Sequence, residues 1–305
     1  MGNYVLKTTP ERGMTMNILS QLDDSIYLSE VNIAGTHDSA TAYVAMENMA
    51  RCQDKTIAEQ LETGIRLLDI RLSKKGDEFY LVHAIADCYS DQAKTKRLTF
   101  DEVLTCCKKF LADNPQETII LSIKQDRGII NRWFFPPFYD KYIKGDESSW
   151  YLGDSVPTLG QCRGKLVLMR RCRVWKSFYE TAEGGLNFSF WKDQKSKKPK
   201  AYPVKLSKES KAIVQDRYCL SPEPKWTCSE SYMNCALTDK NNLALHYIST
   251  SVKTDGNLVG TAEYLNRKFM EYPLKKKTGW IFCDFPTTEL IEKIMTSNIE
   301  KSEKI

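Results

Sequence analysis

The chain contains only three histidines, and two of them, His37 and His83, stand at the C-terminal ends of short apolar runs. Other runs end in Asp69-Ile70-Arg71, Lys124, Arg170-Arg171, Asp216-Arg217-Tyr218 and Asp284. Histidine titrates near neutrality, so one of the pair can take a proton while the other gives one. A lone histidine at the end of a strand is more often structural than catalytic. Two of them, with carboxylates, arginines and a lysine directed at the same place, point to acid–base chemistry around a fixed positive charge. His246 lies inside an apolar run and reads as a core or supporting residue.

These residues have to be brought together by strands. Eight apolar runs qualify: Val31 to Gly35, Ile65 to Leu72, Phe79 to His83, Thr118 to Lys124, Lys165 to Arg171, Ala212 to Tyr218, Leu243 to Ser249 and Trp280 to Phe285. Between them Thr56 to Glu62, Thr99 to Asp113, Ser229 to Ala236, Gly260 to Tyr272 and Thr288 to Ser297 read as helices. Strands alternating with helices imply parallel strands with crossovers. The pattern predicts an irregular (β/α)8 TIM-like barrel in one domain, residues 25–300, with an N-terminal extension over 1–24 and a C-terminal tail over 301–305. Such a barrel carries its chemistry at the C-terminal ends of its strands, where the polar residues fall.

Local signals agree. Thr99 followed by Glu102 is a capping box, and Asn114-Pro115 ends the helix it starts. Residues two apart on a strand share a face, so Asp69 and Arg71 point the same way, as do Asp216 and Tyr218, whereas Arg170 and Arg171 must diverge. Arg132 to Gly160 and Asn187 to Lys211 fit no element and are expected to be irregular.

The 305 residues are 42% hydrophobic and 27% charged, with net charge +5, enough to bury one large core. The positive charge sits in lysine-rich spots, Lys192 to Lys200 and Lys275 to Lys277, which read as solvated loops rather than a nucleic-acid track. No apolar stretch is long enough to span a membrane, and the start lacks the basic and apolar pattern of a secretion signal. Ten cysteines without a Cys-x-x-Cys or a neighbouring histidine are expected to be reduced thiols rather than a zinc site.

The segments Asn32-Ile-Ala-Gly-Thr-His-Asp-Ser39, Leu67-Leu-Asp-Ile-Arg-Leu72, Leu81-Val-His83, Glu117-Thr-Ile-Ile-Leu-Ser-Ile-Lys124, Arg163-Gly-Lys-Leu-Val-Leu-Met-Arg-Arg171, Val214-Gln-Asp-Arg-Tyr218 and Gly279-Trp-Ile-Phe-Cys-Asp-Phe285 occur in the order and spacing of another set of proteins. Over roughly residues 25 to 300 the chain resembles the X domain of bacterial phosphatidylinositol-specific phospholipases C. The resemblance implies that His37 is the general base for the inositol 2-hydroxyl, oriented by Asp284. It implies that His83, helped by Asp38, protonates the departing diacylglycerol oxygen, and that Arg71, supported by Asp69, neutralises the phosphate. Lys124 and Asp216 would bind inositol hydroxyls, Arg171 would contact the ring, with Arg170 as the fallback, and Tyr218 would stack on it.

A 2-hydroxyl beside a phosphodiester is an internal nucleophile, so the implied product is an inositol cyclic phosphate, opened slowly by water. Calcium-dependent relatives have an asparagine after the first histidine and Glu-x-Asp on the second strand; here Asp38, Asp69 and Arg71 stand instead, so neither a metal nor another cofactor is expected. Ala84 replaces the family's usual glycine after His83. The resemblance also implies an exported protein, its leader absent from this chain, with a cytoplasmic location as the alternative.

The expected partner is an inositol phospholipid at a membrane surface, bound by a monomer. Trp133, Phe134, Phe135 and Phe138 follow the fourth run and read either as buried packing or as an interfacial patch; Tyr43, Val44, Met46 and Met49 admit the same two readings. Two alternatives remain beside the enzyme reading, a metal-dependent glycerophosphodiester phosphodiesterase-like barrel, which Arg71 opposes, and a non-catalytic inositide-binding module.

Overall fold

The structure is a computed structural model and describes residues 16–128, 131–175, 177–178, 182–195, 202–236, 238–251 and 257–299. Most of the 1–24 extension, the 301–305 tail and residues 196–200 of the first lysine-rich spot therefore lie outside the described residues.

Seven strands form the parallel frame: β1 (Ile33–Thr36), β2 (Leu67–Lys75), β5 (Ile119–Arg127), β7 (Leu166–Arg170), β10 (Lys211–Gln215), β11 (Asn242–Tyr247) and β12 (Trp280–Cys283). Around the sheet they run β7-β5-β2-β1-β12-β11-β10, each paired in parallel with the next. Two-residue strands β6 (Trp150–Tyr151) and β8 (Leu186–Asn187) both pair with β7, one near its start and one near its end. At the opposite edge β9 (Tyr202–Lys205) runs antiparallel to β10. The result is a TIM-like barrel whose sheet stays open, among the described residues, between these two edges.

The run ending at His83 departs from expectation. Strand β3 (Glu78–His83) pairs antiparallel with β2, Leu72 opposite Leu81, and then with β4 (Ala86–Asp87). It is a hairpin arm rather than a parallel barrel strand. The cause is local: only Gly76 and Asp77 separate β2 from β3, and Gly76 takes φ +60°, a two-residue connection that closes a hairpin and leaves no room for a crossover. The antiparallel arm carries the chain back from the end of β2 alongside its middle, so His83 reaches the mouth from the side.

The helices are α1 (Glu47–Ala50), α2 (Ile57–Glu62), α3 (Phe100–Asp113), α4 (Phe135–Tyr142), α5 (Leu159–Cys162), α6 (Pro222–Asn234), α7 (Leu258–Glu271) and α8 (Thr288–Thr296). The Thr99–Glu102 capping box opens α3, and Thr56 with Glu59 opens α2 the same way. Helix α6 begins seven residues before the expected Ser229, because Pro222 and Pro224, with φ already fixed near the helical value, fit its first turn. Helix α4 lies inside a stretch expected to be irregular.

That helix decides the fate of the aromatic cluster. Phe134, Phe135 and Phe138 are buried, packed with ring centroids 5.4 Å for Phe79–Phe134, 5.6 Å for Phe79–Phe138 and 5.0 Å for Phe100–Phe138. The interfacial reading is thus corrected for these three: they seal α3 and α4 onto the β2–β3 hairpin. Trp133 alone of the four is exposed, at 61%. The packed body begins before residue 25, since Ile18 and Leu19 are buried and Met16 O accepts from Arg66 Nη2 at 2.8 Å. None of the ten cysteines is in a disulfide.

Candidate active site

Parallel pairing of β1 with β12, Thr36 opposite Cys283, places the next residues, His37 and Asp284, side by side. The His37 amide donates to Cys283 O (3.0 Å), so the ladder runs one residue past β1 before the chain turns at Asp38, φ +44°. His37 Nδ1 donates to Asp284 Oδ1 at 2.9 Å, and His37 Nε2 lies 3.0 Å from Asp38 Oδ2. The Gln53 amide group donates to both His37 O (2.7 Å) and Cys283 O (3.0 Å), tying the loop before α2 to this junction.

His83 Nδ1 donates to Ala50 O at 2.8 Å, which directs Nε2 to Asp38 Oδ2 at 3.3 Å. One carboxylate oxygen thus faces the Nε2 atoms of both histidines, whose ring centroids are 6.3 Å apart. The other, Asp38 Oδ1, lies 2.8 Å from Arg71 Nε. It is an ionic contact without the alignment of a hydrogen bond, since no hydrogen-bond partner serves either oxygen.

Asp69 and Arg71 share a face, as alternation requires. Arg71 donates to Asp69 Oδ2 through Nη2 at 2.9 Å, while Asp69 Oδ1 accepts from Arg171 Nη1 at 3.2 Å. Arg171 is therefore the arginine of the pair that faces the mouth, its guanidinium carbon 3.8 Å above the Trp191 ring. Arg170 is buried behind it, donating to Gly184 O. Lys124 Nζ donates to Asp126 Oδ1 at 2.5 Å, and that oxygen is 3.8 Å from Arg71 Nη1. Charges of alternating sign line the floor.

His37, Arg71, His83, Lys124, Arg171, Asp216 and Tyr218 all border one cavity of about 490 Å³. Asp38 and Asp284 are buried at 2% and 3% exposure and reach the cavity through His37. The structure thus brings together the nine residues that the sequence singled out. His246 stands apart, its Nε2 donating to Thr278 O at 3.0 Å, and burial lowers it to about 4, so it stays neutral.

The electrostatics follow from that geometry. Burial disfavours the His37 imidazolium, but the charges of Asp38 and Asp284 and the Asp284 hydrogen bond outweigh it and raise His37 to about 9. Burial raises Asp284 above the usual carboxylate range. It would do the same to Asp69 and Asp126, but Arg71, with Arg171 for the first and Lys124 for the second, drives both strongly down. Lys124 is lowered by burial and by the two arginines.

Sequence reasoning missed four contributors. Asp126 lies two residues beyond Lys124 on β5, so alternation already placed it on the same face. Trp191 falls in a stretch with no periodic signal. Tyr247, its hydroxyl 3.4 Å from Arg171 Nη1, and Cys52, which lines the cavity, carry no sequence signal that separates them from core residues. As for metal ligands, His37, Asp38 and Cys52 are the one three-donor group among the described residues. Arg71 already neutralises Asp38 on its other side.

A profile described as "Phosphatidylinositol-specific phospholipase C, X domain" matches residues 27–172, the span that carries His37, Asp38, Asp69, Arg71, His83 and Lys124. Over that span the chain is similar to the X-domain family. Among curated proteins it is similar to the 1-phosphatidylinositol phosphodiesterase of Staphylococcus aureus strain Newman, 26% identical over 92% of this chain and 94% of the relative. It is also similar to the 1-phosphatidylinositol phosphodiesterase of Listeria monocytogenes, 24% identical over 93% of this chain and 85% of the relative. Of solved structures, a mutant phosphatidylinositol-specific phospholipase C of S. aureus superposes with TM-score 0.75 at 23% identity, covering 94% of this chain and 99% of that one. The L. monocytogenes enzyme superposes with TM-score 0.67 at 23% identity, covering 94% and 100%. These superpositions carry the fold. At 92% and 93% of this chain, the matches to these relatives extend well beyond residue 172, across the strand that leads to Asp216 and Tyr218.

Proposed function

We propose that this protein cleaves phosphatidylinositol, or a glycosylated inositol lipid, to diacylglycerol and inositol 1,2-cyclic phosphate, with residues 25–300 as its barrel domain. The observation that carries the reading is the Asp38 carboxylate, which holds His37 Nε2, His83 Nε2 and Arg71 Nε within 3.3 Å of its two oxygens. A base, an acid and a permanent positive charge converge on one cavity, and an internal nucleophile needs nothing more.

His37 takes the proton of the inositol 2-hydroxyl at Nε2, while Asp284 holds the opposite ring nitrogen and stabilises the imidazolium that forms. The 2-oxygen attacks phosphorus, the bond to the diacylglycerol oxygen breaks, and His83 gives its Nε2 proton to that leaving oxygen. Arg71 balances the charge on the phosphate throughout. Lys124 and Asp216 bind the ring hydroxyls, Arg171 contacts the ring and Tyr218 stacks on it. The cyclic product opens slowly when the two histidines exchange roles on a water molecule. No metal or other cofactor is called for, because a guanidinium occupies the position beside Asp38.

The lipid is reached at a membrane surface. A solved neighbour, the phosphatidylinositol-specific phospholipase C of S. aureus, concerns modulation of membrane binding. Here Met49 lines the cavity and is 55% exposed, and Met46, Ile85 and Val259 are exposed on the adjoining segments. Their side chains would enter the head-group boundary together with Trp133.

Turnover of phosphatidylinositol vesicles by His37→Ala and His83→Ala tests the assignment. Each variant is expected to lose on the order of 10²–10⁴ in rate with its circular dichroism unchanged. A folded variant of either kind retaining the parent rate would overturn it.

A further inference from the structure

The mouth holds a second set of donors that the proposed reaction does not use as a set. His37, Asp38 and Cys52 each offer one atom, and the three lie within 4.8 Å of one another. Cys52 is buried, lines the catalytic cavity, and has its Sγ 4.0 Å from His83 Nδ1. Its amide donates to Thr41 Oγ1 at 3.0 Å, which fixes the loop that carries it.

We propose that these residues form an inhibitory site for a divalent cation of the zinc class, bound by His37 Nε2, Asp38 Oδ2 and Cys52 Sγ with its fourth position open to the cavity. One nitrogen, one oxygen and one sulfur suit a borderline-soft ion. Tetrahedral zinc with bonds of about 2.0–2.3 Å needs its donors roughly 3.3–3.7 Å apart. His37 Nε2 and Asp38 Oδ2 stand 3.0 Å apart already, and Cys52 Sγ, within 4.8 Å of the donor atoms of both residues, has about 1 Å at most to close.

The supporting contacts are those that a metal-bound histidine uses. Asp284 accepts from Nδ1 and orients the ring so that Nε2 faces outward. Arg71 engages Asp38 Oδ1, so the ion would take Oδ2 in place of its 3.3 Å contact with His83 Nε2. Calcium or magnesium does not fit, since a single carboxylate oxygen without a carbonyl cage falls short of what a hard cation requires. Binding moves no electrons. The Cys52 thiol proton passes to solvent, together with any proton on His37 Nε2, and the lone pair that would accept the 2-hydroxyl proton becomes a metal bond.

The inhibitory consequence rests on the functional reading above; the site itself does not. The test is a cobalt(II) titration of the chelator-treated full chain, read by near-ultraviolet sulfur-to-cobalt charge transfer and reversed by zinc, beside zinc inhibition of vesicle turnover. One equivalent of cobalt is expected to give the charge-transfer band, and Cys52→Ser is expected to lose the band and to need at least about tenfold more zinc for half inhibition. Cobalt bound by the parent protein without that band, or a Cys52→Ser variant inhibited at the parent's zinc concentration, would overturn the site. The band appearing in a protein that turns over no phosphatidylinositol would leave the site standing and remove the functional reading instead.

Discussion

Replacing Asp284 by asparagine separates the charge that acts on His37 from the hydrogen bond that orients it. Asparagine keeps an acceptor for Nδ1–H at the 2.9 Å position but removes the charge. In the parent protein His37 is raised from 6.5 to about 9, which corresponds to about 3 kcal/mol in favour of the imidazolium. An opposite charge this close raises a histidine's pKa by about 1–3. At pH 7 the neutral, proton-accepting form is about one molecule in a hundred in the parent and rises to about one in ten or more in Asp284→Asn.

Because a raised histidine must lose a proton before it can act as a base, the acid limb of kcat/KM moves to lower pH in the variant, while the plateau falls as orientation and imidazolium stabilisation weaken. The chain's three histidines make the assay direct: their ring C–H resonances can be assigned by single substitutions and followed through a proton NMR titration. His37 is expected near 9 in the parent and lower in Asp284→Asn, with His246 near 4 in both. A His37 resonance titrating at 6.5 in the parent, or at an unchanged value in the variant, would refute the electrostatic account of the base.

Arg71 touches Asp38 through Nε and Asp69 through Nη2, a fork that one ammonium cannot copy. Arg71→Lys is expected to lose on the order of 10²–10³ in kcat/KM on phosphatidylinositol, and a variant within threefold of the parent would assign the phosphate to another group. Ala84 sits at φ +50°, in the left-handed region that costs a residue with a Cβ about 1–2 kcal/mol. Ala84→Gly relieves that strain but loosens the unfolded chain by about 0.4–1 kcal/mol. A net gain of about 0.5–1 kcal/mol is expected as a higher urea midpoint at constant m-value, and a lower midpoint would contradict the strain.

Much of the site was legible because it depends on two short-range rules. Apolar runs mark strands, and the residue that ends a run in a parallel barrel faces the mouth, which is why His37, Lys124 and Asp284 could be singled out in advance. Period-two alternation then paired Asp69 with Arg71, and it separated Arg171 from Arg170 without saying which one faced inward. Apart from one local hairpin, what could not be read depended on packing partners distant in sequence. The β2–β3 hairpin was signalled by Gly76-Asp77 but was overridden by the expectation of eight parallel strands. The burial of Phe134, Phe135 and Phe138 follows from α4 packing against Phe79 and Phe100, and the stacking of Trp191 on Arg171 follows from a loop without periodicity. Composition distinguishes neither case from an exposed patch.

The central claim is that two histidines and an arginine cleave an inositol lipid through its own 2-hydroxyl. Phosphorus NMR of purified protein with phosphatidylinositol vesicles and excess chelator tests it directly. The account predicts a cyclic inositol phosphate resonance that appears first and decays slowly to the acyclic monophosphate. Turnover that begins only when calcium is restored, or an acyclic phosphate released without the cyclic species, would contradict it.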